Sequence, residues 1–480
     1  MERALFFDPL AYSGLFPEYT LLASVLLISV LVCLFPSRAG GASVWISIFA
    51  LGISFLLIED GQSVLPPGLE SKPWTIILKR FLIISTAVTL FVWLEWKVSN
   101  PAKNSPLFFS LLLIACASLL ILVQASGYWM LLLAAEGFSF CSYALVYNAA
   151  GRKSPDHAIL RYFGTGALAT GISVFGLSWL IGFEDISLSG TEGFGNSIAF
   201  FPVAGAVFFL AFLLFKLGAF PFQFWIPEMY AKAPAPVAGF LASAPKAAAA
   251  FACLNLTQLT QINIGFPLLC FALLSGIFGN LAAFQTKGVK EMLAYSAIGQ
   301  ASFLLIPVIF AKQVPGAGIQ LLYFTMIYGS AIQGAFLCCQ FFEPYFGSYP
   351  EIDAFIGSGN LRNHPLPSLL FTGFLISIIG IPPFAGFTAK LLIVSGLPAG
   401  TGLMGNAWPA AAFFLGLIIT VLSAAYFFRL PYRMFFGRSI VDYFGDIPKP
   451  QIVVFFLMIS GLIFQLLAFF FPGWFMPTNN

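Results

Sequence analysis

Long apolar runs separated by short polar connections fill nearly the whole chain. A helix that crosses a bilayer needs about 20 mostly apolar residues. Cutting at charges and at Gly/Pro clusters predicts spans over Tyr19–Phe35, Ser43–Ile58, Trp74–Trp96, Leu107–Gln124, Tyr128–Tyr147, Ala158–Ile181 and Ala199–Phe220. Seven more follow over Pro236–Leu256, Phe266–Phe284, Met292–Phe310, Ile319–Phe342, Leu366–Val394, Ala407–Phe428 and Ile452–Phe471. The pattern therefore predicts an all-α polytopic membrane protein of about 14 transmembrane helices. The connections are too short to hold a separate soluble domain.

Composition agrees. Of 480 residues 59% are hydrophobic and 9% charged, where soluble domains carry about a quarter charged. So few charges cannot cover a soluble surface of this size. The net charge of +3 says less than the distribution of charge. Odd-numbered connections and their flanks hold 14 Lys/Arg, whereas the N-terminus and the even-numbered connections, with Lys79 counted among them, hold 5. The positive-inside rule then places both termini outside the cytoplasm. The N-terminus, MERALFFDPL, lacks the basic region and cleavage site of a removable signal peptide.

Several chemistries lack their signatures. The seven Cys lie in apolar runs without a C-x-x-C, and the two His, His157 and His364, are far apart, so no metal or iron–sulfur site is expected. No P-loop, dinucleotide fingerprint or hydrolase triad is visible, and no basic face suits nucleic acid.

Three lysines remain deep inside apolar runs: Lys216, Lys246 and Lys390. Glu136, in MLLLAAEGFSFCSYALV, is embedded likewise. Placing a charge at the bilayer centre costs at least about 2.5–3.5 kcal/mol, and such residues usually face a bundle interior or a water-filled path. Two spans are also interrupted: the seventh in FKLGAFPFQFWIPEMY and the twelfth in IIGIPPFAGFTAK. Interrupted helices at membrane depth occur where protein or a cavity satisfies the backbone. With spans four to eight as one block and nine to thirteen as a second, each interruption falls in the fourth span of its block. An odd number of crossings per block gives two inverted five-helix repeats, with discontinuous helices 7 and 12. The expected organisation is 1–105, three helices; 106–258, the first repeat; 259–436, the second; and 437–480, the last helix.

These residues resemble those of the antiporter-like subunits of respiratory complex I and their Mrp-antiporter relatives, over about Leu107 to Tyr432. The stretch LLFKLGAFPFQFWIPEMYAKAPAPVAGFLASAPKAAA carries most of the likeness, followed by Gly279–Ile306 and Ile379–Lys390. Within the family, Glu136 with Ser139, Ser142, Tyr143 and Leu145 resembles the E-L-x-S-L-x-L-Y pattern of subunit N. Gln223 stands where the family's P-F-H-x-W motif has His, and Gln300 where many members have another His. Both keep hydrogen-bonding ability but lose a group that titrates near neutral pH.

The resemblance implies an intramembrane ion pair of Glu136 with Lys216, Lys246 as central proton carrier, and Lys390 exchanging protons with the positive side. Gln223, Tyr295 and Gln300 are secondary relay candidates. A neighbouring carboxylate favours a charged lysine and desolvation disfavours it, so moving one against the other moves a proton. It further implies that NADH or a related donor, FMN, iron–sulfur clusters and quinone belong to partner subunits. Those partners would be another antiporter-like subunit and small membrane subunits in a bacterial inner membrane. Two other readings stay open at this point: an Mrp-type cation/proton antiporter module, and a structural anchor that pumps nothing.

Overall fold

The computed structural model describes residues 12–58, 64–99, 106–150, 156–188, 200–260, 262–359, 364–397, 407–437 and 451–476. Arg3, Lys103, Arg152, Lys153, Arg362, Arg438 and Lys449, which enter the charge asymmetry, lie outside the described residues. The described residues hold no β-strand, only two isolated bridges.

The helices are α1 (Phe16–Leu34), α2 (Pro36–Leu56), α3 (Thr75–Ser99), α4 (Pro106–Gln124), α5 (Tyr128–Ala150), α6 (Asp156–Leu188), α7 (Phe200–Leu217), α8 (Ile226–Lys232) and α9 (Ala235–Leu259). Then follow α10 (Gly265–Gln285), α11 (Val289–Ile309), α12 (Ala317–Phe346), α13 (Pro365–Ile379), α14 (Ala385–Ser395), α15 (Ala407–Phe427), α16 (Arg429–Phe436) and α17 (Ile452–Phe470). Thirteen of these are long and apolar enough to span a bilayer. The fourteenth expected span is the pair α13 and α14, each too short alone. Every expected span thus has its helix, and the two expected to be discontinuous are the two that break.

Helix α9 is buried along its length, and α11 and α12 are nearly so, whereas α1, α2 and α17 bury a third or less. The reason lies in composition. Helix α9 reads APVAGFLASAPKAAAAFACL, and small residues let neighbouring helices approach closely where lipid offers no hydrophobic driving force. A Cβ on Gly239 would lie 3.1 Å from that of Phe336 on α12. The periphery is the reverse, with Leu26, Leu56, Phe140 and Phe414 projecting outward. Apolar side chains around the whole circumference suit acyl chains and not water.

Candidate functional site

Both breaks are built alike. Helix α7 ends at Gly218, whose φ of +70° is left-handed, and a cis Phe220–Pro221 bond precedes α8. Helix α13 ends at Gly380 with φ of +86°, and a cis Pro382–Pro383 bond precedes α14. The two share the spacing G-x-x-P-F, in Gly218, Pro221 and Phe222 and again in Gly380, Pro383 and Phe384. A left-handed residue at the end of a helix favours glycine because it has no Cβ. The backbone groups set free at the breaks find partners in neighbouring side chains. The Phe220 N–H donates to Ser275 Oγ on α10 at 2.9 Å, and the Trp225 indole donates to the Phe215 carbonyl at 3.3 Å.

Each break also faces a lysine ammonium. Lys246, from the middle of α9, donates to the Ala297 carbonyl on α11 at 2.7 Å. Its Nζ lies 3.4 Å from where a Cβ on Gly218 would stand. Lys390 reaches back from α14 to the other break and donates to the Ile379 carbonyl, the last of α13, at 2.8 Å. In both cases the lysine that meets the break follows its prolines in the chain, from α9 at the first break and from α14 at the second. A helix C-terminus carries partial negative charge that favours a cation there.

Lys216 lies in the last turn of α7, two residues before Gly218, buried, with Phe138, Tyr143, Phe212 and Phe215 rings 5.1–5.4 Å from Nζ. Ring faces attract an ammonium electrostatically. No hydrogen-bond partner for this Nζ occurs among the described residues. The expected ion pair with Glu136 is open: the half-buried Glu136 carboxylate accepts the hydroxyl of Thr170 on α6, while aromatic rings enclose the ammonium.

Gln223 sits within the first break and Gln300 on α11, both buried with side-chain amides unpartnered among the described residues. Gln300 and Lys390 line one small cavity of about 10 Å³ together with Ser377 and Tyr328. That is about the room one water takes, beside the polar groups it needs. Ala297 and Gln300 are one turn apart on α11, so Lys246, Gln300 and Lys390 follow one another along that helix. Tyr295 stands apart: its ring packs against Phe278, with centroids 6.4 Å apart.

Three polar features were not singled out by sequence reasoning. Ser85, Ser243 and Gln333 join α3, α9 and α12, with Ser85 Oγ 2.9 Å from both Ser243 Oγ and Gln333 Oε1. Lys290 is buried on α11, although its place beside Lys287 and Glu291 reads as a connection. Lys79, expected in an outer connection, is instead buried in α3 and pairs with Glu18 of α1 at 2.7 Å. Its neighbour Arg80 and its place near the start of the span made it look like an interfacial flank. The signal available was an acid and a base near the starts of the first and third spans, which cross in the same sense.

Buried lysines facing two discontinuous helices inside a lipid-exposed shell define an ion-translocating polytopic membrane protein. Comparison with known proteins makes the class specific. The family described as NADH:quinone oxidoreductase/Mrp antiporter, transmembrane, matches residues 125–423, and the chain belongs to it. A relative in Thiobacillus denitrificans, NADH-quinone oxidoreductase subunit N, is 30% identical over 436 residues, covering 88% of this chain and 87% of its own. A chain of respiratory complex I from Thermus thermophilus superposes with a TM-score of 0.75 at 24% identity, covering 95% of this chain and 97% of that one. A chain of the Mrp complex from Dietzia sp. gives 0.74 at 15% identity over 98% and 96%. At those identities the two structures speak for the fold.

Proposed function

We propose that this chain is the subunit N-type, proton-translocating membrane subunit of a quinone-reducing respiratory complex. The observation that carries the reading is the meeting of lysine ammonium groups with both helix breaks, Lys246 at Gly218 and Lys390 at Ile379. Protons pass between Lys216, Lys246 and Lys390, with Gln300 and cavity water between the last two. Glu136 controls Lys216 by leaving Thr170 and approaching it. Moving one charge against about 150 mV costs about 3.5 kcal/mol, a size that one ion pair made and broken per cycle can supply. Gln223 assists at the first break, and Tyr295 keeps a packing role.

The shared G-x-x-P-F turn supports two inverted repeats over 106–258 and 259–436, with 1–105 and 437–480 as additions. The chain's own residues move protons only. NADH or a related donor, FMN, iron–sulfur clusters and quinone belong to partner subunits of the complex. This subunit sits in the membrane arm beside another antiporter-like subunit and small membrane subunits, in a bacterial inner membrane with both termini outside the cytoplasm.

An Mrp-type cation/proton exchange is the second reading, favoured by the likeness to the Dietzia chain. Quinone reduction by the reconstituted complex, with acidification followed in sodium-free medium, separates them. Undiminished proton movement without sodium supports the first reading, and a requirement for sodium supports the second.

A further inference from the structure

The proposed path leaves one buried ion pair unused. Glu18 lies in the first turn of α1 and Lys79 is the fifth residue of α3, and their side chains are 1% and 4% exposed. Their N–O distance is 2.7 Å, and neither carboxylate oxygen finds any further hydrogen bond among the described residues. A buried pair is weak support for stability, since apolar residues of similar volume often serve as well or better. Ionisable groups within membrane spans more commonly mark ion paths.

The surroundings suit that role. A cavity of about 20 Å³ adjoins Lys79, lined also by Ser13, Ser71, Thr75 and Gln124. It is large enough to hold a water and offers that water polar partners. The Gln124 side-chain oxygen, buried at the end of α4, has no hydrogen-bond partner among the described residues. The starts of α1 and α3 and the ends of α2 and α4 meet here, on the side to which the Lys/Arg asymmetry assigns the exterior. Toward the membrane centre α3 carries Ser85, about 9 Å further along the helix. Ser85 touches Ser243, one turn from Lys246.

We infer that Glu18 and Lys79 form a second proton outlet of this subunit, parallel to Lys390, with Glu18 as the group that releases the proton to the exterior. An arriving proton converts the Glu18 carboxylate to the acid and opens its pair with Lys79. The acid then gives that proton to water on the outer side, and the restored carboxylate closes again on the ammonium of Lys79, which lines the cavity. The inference rests on the function proposed above.

The test measures protons moved per quinone reduced in the intact complex carrying Glu18→Gln, Glu18→Leu with Lys79→Met, Lys390→Ala, and Lys390→Ala with Glu18→Gln. Removing both charges together avoids stranding either one. Glu18→Gln and the double apolar replacement are expected to lower the ratio while quinone reduction continues. In the Lys390→Ala background, Glu18→Gln is expected to lower the ratio further, removing the share of pumping that this chain still contributes. An unchanged ratio in both backgrounds overturns the inference and leaves the pair as a tie between α1 and α3. Lys246→Ala is run beside them: if it too leaves the ratio unchanged, the function proposed for the chain fails, and not this outlet alone.

Discussion

The ammonium of Lys246 donates to the carbonyl of Ala297 while lying beside Gly218, so one side chain ties the centre of α9 both to α11 and to the break after α7. The contact places a mobile proton carrier between two rigid elements. From Ala297, α11 leads in one turn to Gln300 and the cavity it shares with Lys390. Every part of the account depends on the break staying open to that ammonium.

Gly218→Ala should disturb it. The left-handed φ penalises any Cβ, and the added atom would stand 1.8 Å from Ile226 Cδ1. A loss of about 1–3 kcal/mol in stability is expected from the strain, seen as a lower melting temperature of the purified complex, together with reduced pumping. Gly171→Ala on α6, where nothing lies within 4 Å of the new Cβ, serves as the neutral control. Equal melting temperatures for both variants would contradict the role given to Gly218.

Gln300→Leu removes the hydrogen-bonding group between Lys246 and Lys390 while filling similar space. Losing one hydrogen bond of about 1–1.5 kcal/mol in the relay slows proton flux about tenfold. Gln300→His, which keeps a hydrogen-bonding group and adds one that titrates near neutral pH, should keep flux within about threefold of the parent, a difference of under 1 kcal/mol. Flux followed with a pH-sensitive dye in proteoliposomes decides. Equal rates for Leu and His would take Gln300 off the path.

Thr170→Val frees the Glu136 carboxylate from its hydrogen bond and leaves it able to approach Lys216. A hydrogen bond to a charged group contributes about 1.5–3 kcal/mol, so coupled turnover should change about tenfold or more. Glu136→Gln should leave assembly intact, since the carboxylate forms no ion pair among the described residues, and should lower pumping. Normal pumping by Glu136→Gln would reduce Glu136 to a helix-packing group.

A cysteine at Gly473 tests the sidedness. The position is exposed just after α17, and nothing lies within 4 Å of a Cβ there. Gly473→Cys should react with a membrane-impermeant maleimide in intact cells, relative to the parent chain. Labelling only after permeabilisation would reverse the topology.

The helices were legible in the sequence because lipid imposes a simple rule: about 20 apolar residues per crossing. The two interruptions were legible because proline removes a helical donor, and Lys216, Lys246 and Lys390 because charges stand out in apolar runs. Contacts across the bundle were not. Nothing in the order of residues says that Lys390 would fold back onto Ile379, or that Thr170 of α6 would hold Glu136 away from Lys216. Lys79 was misplaced for a related reason. A basic residue near a helix end can snorkel to the interface or turn inward, and only the tertiary position of Glu18 decides which.

The central claim is that Lys246 carries protons. Lys246→Ala in the fully assembled complex, with quinone reduction and proton movement measured separately, tests it most directly. The account predicts that pumping is lost and electron transfer is slowed or uncoupled, with assembly preserved. Full pumping by an assembled Lys246→Ala complex would contradict it.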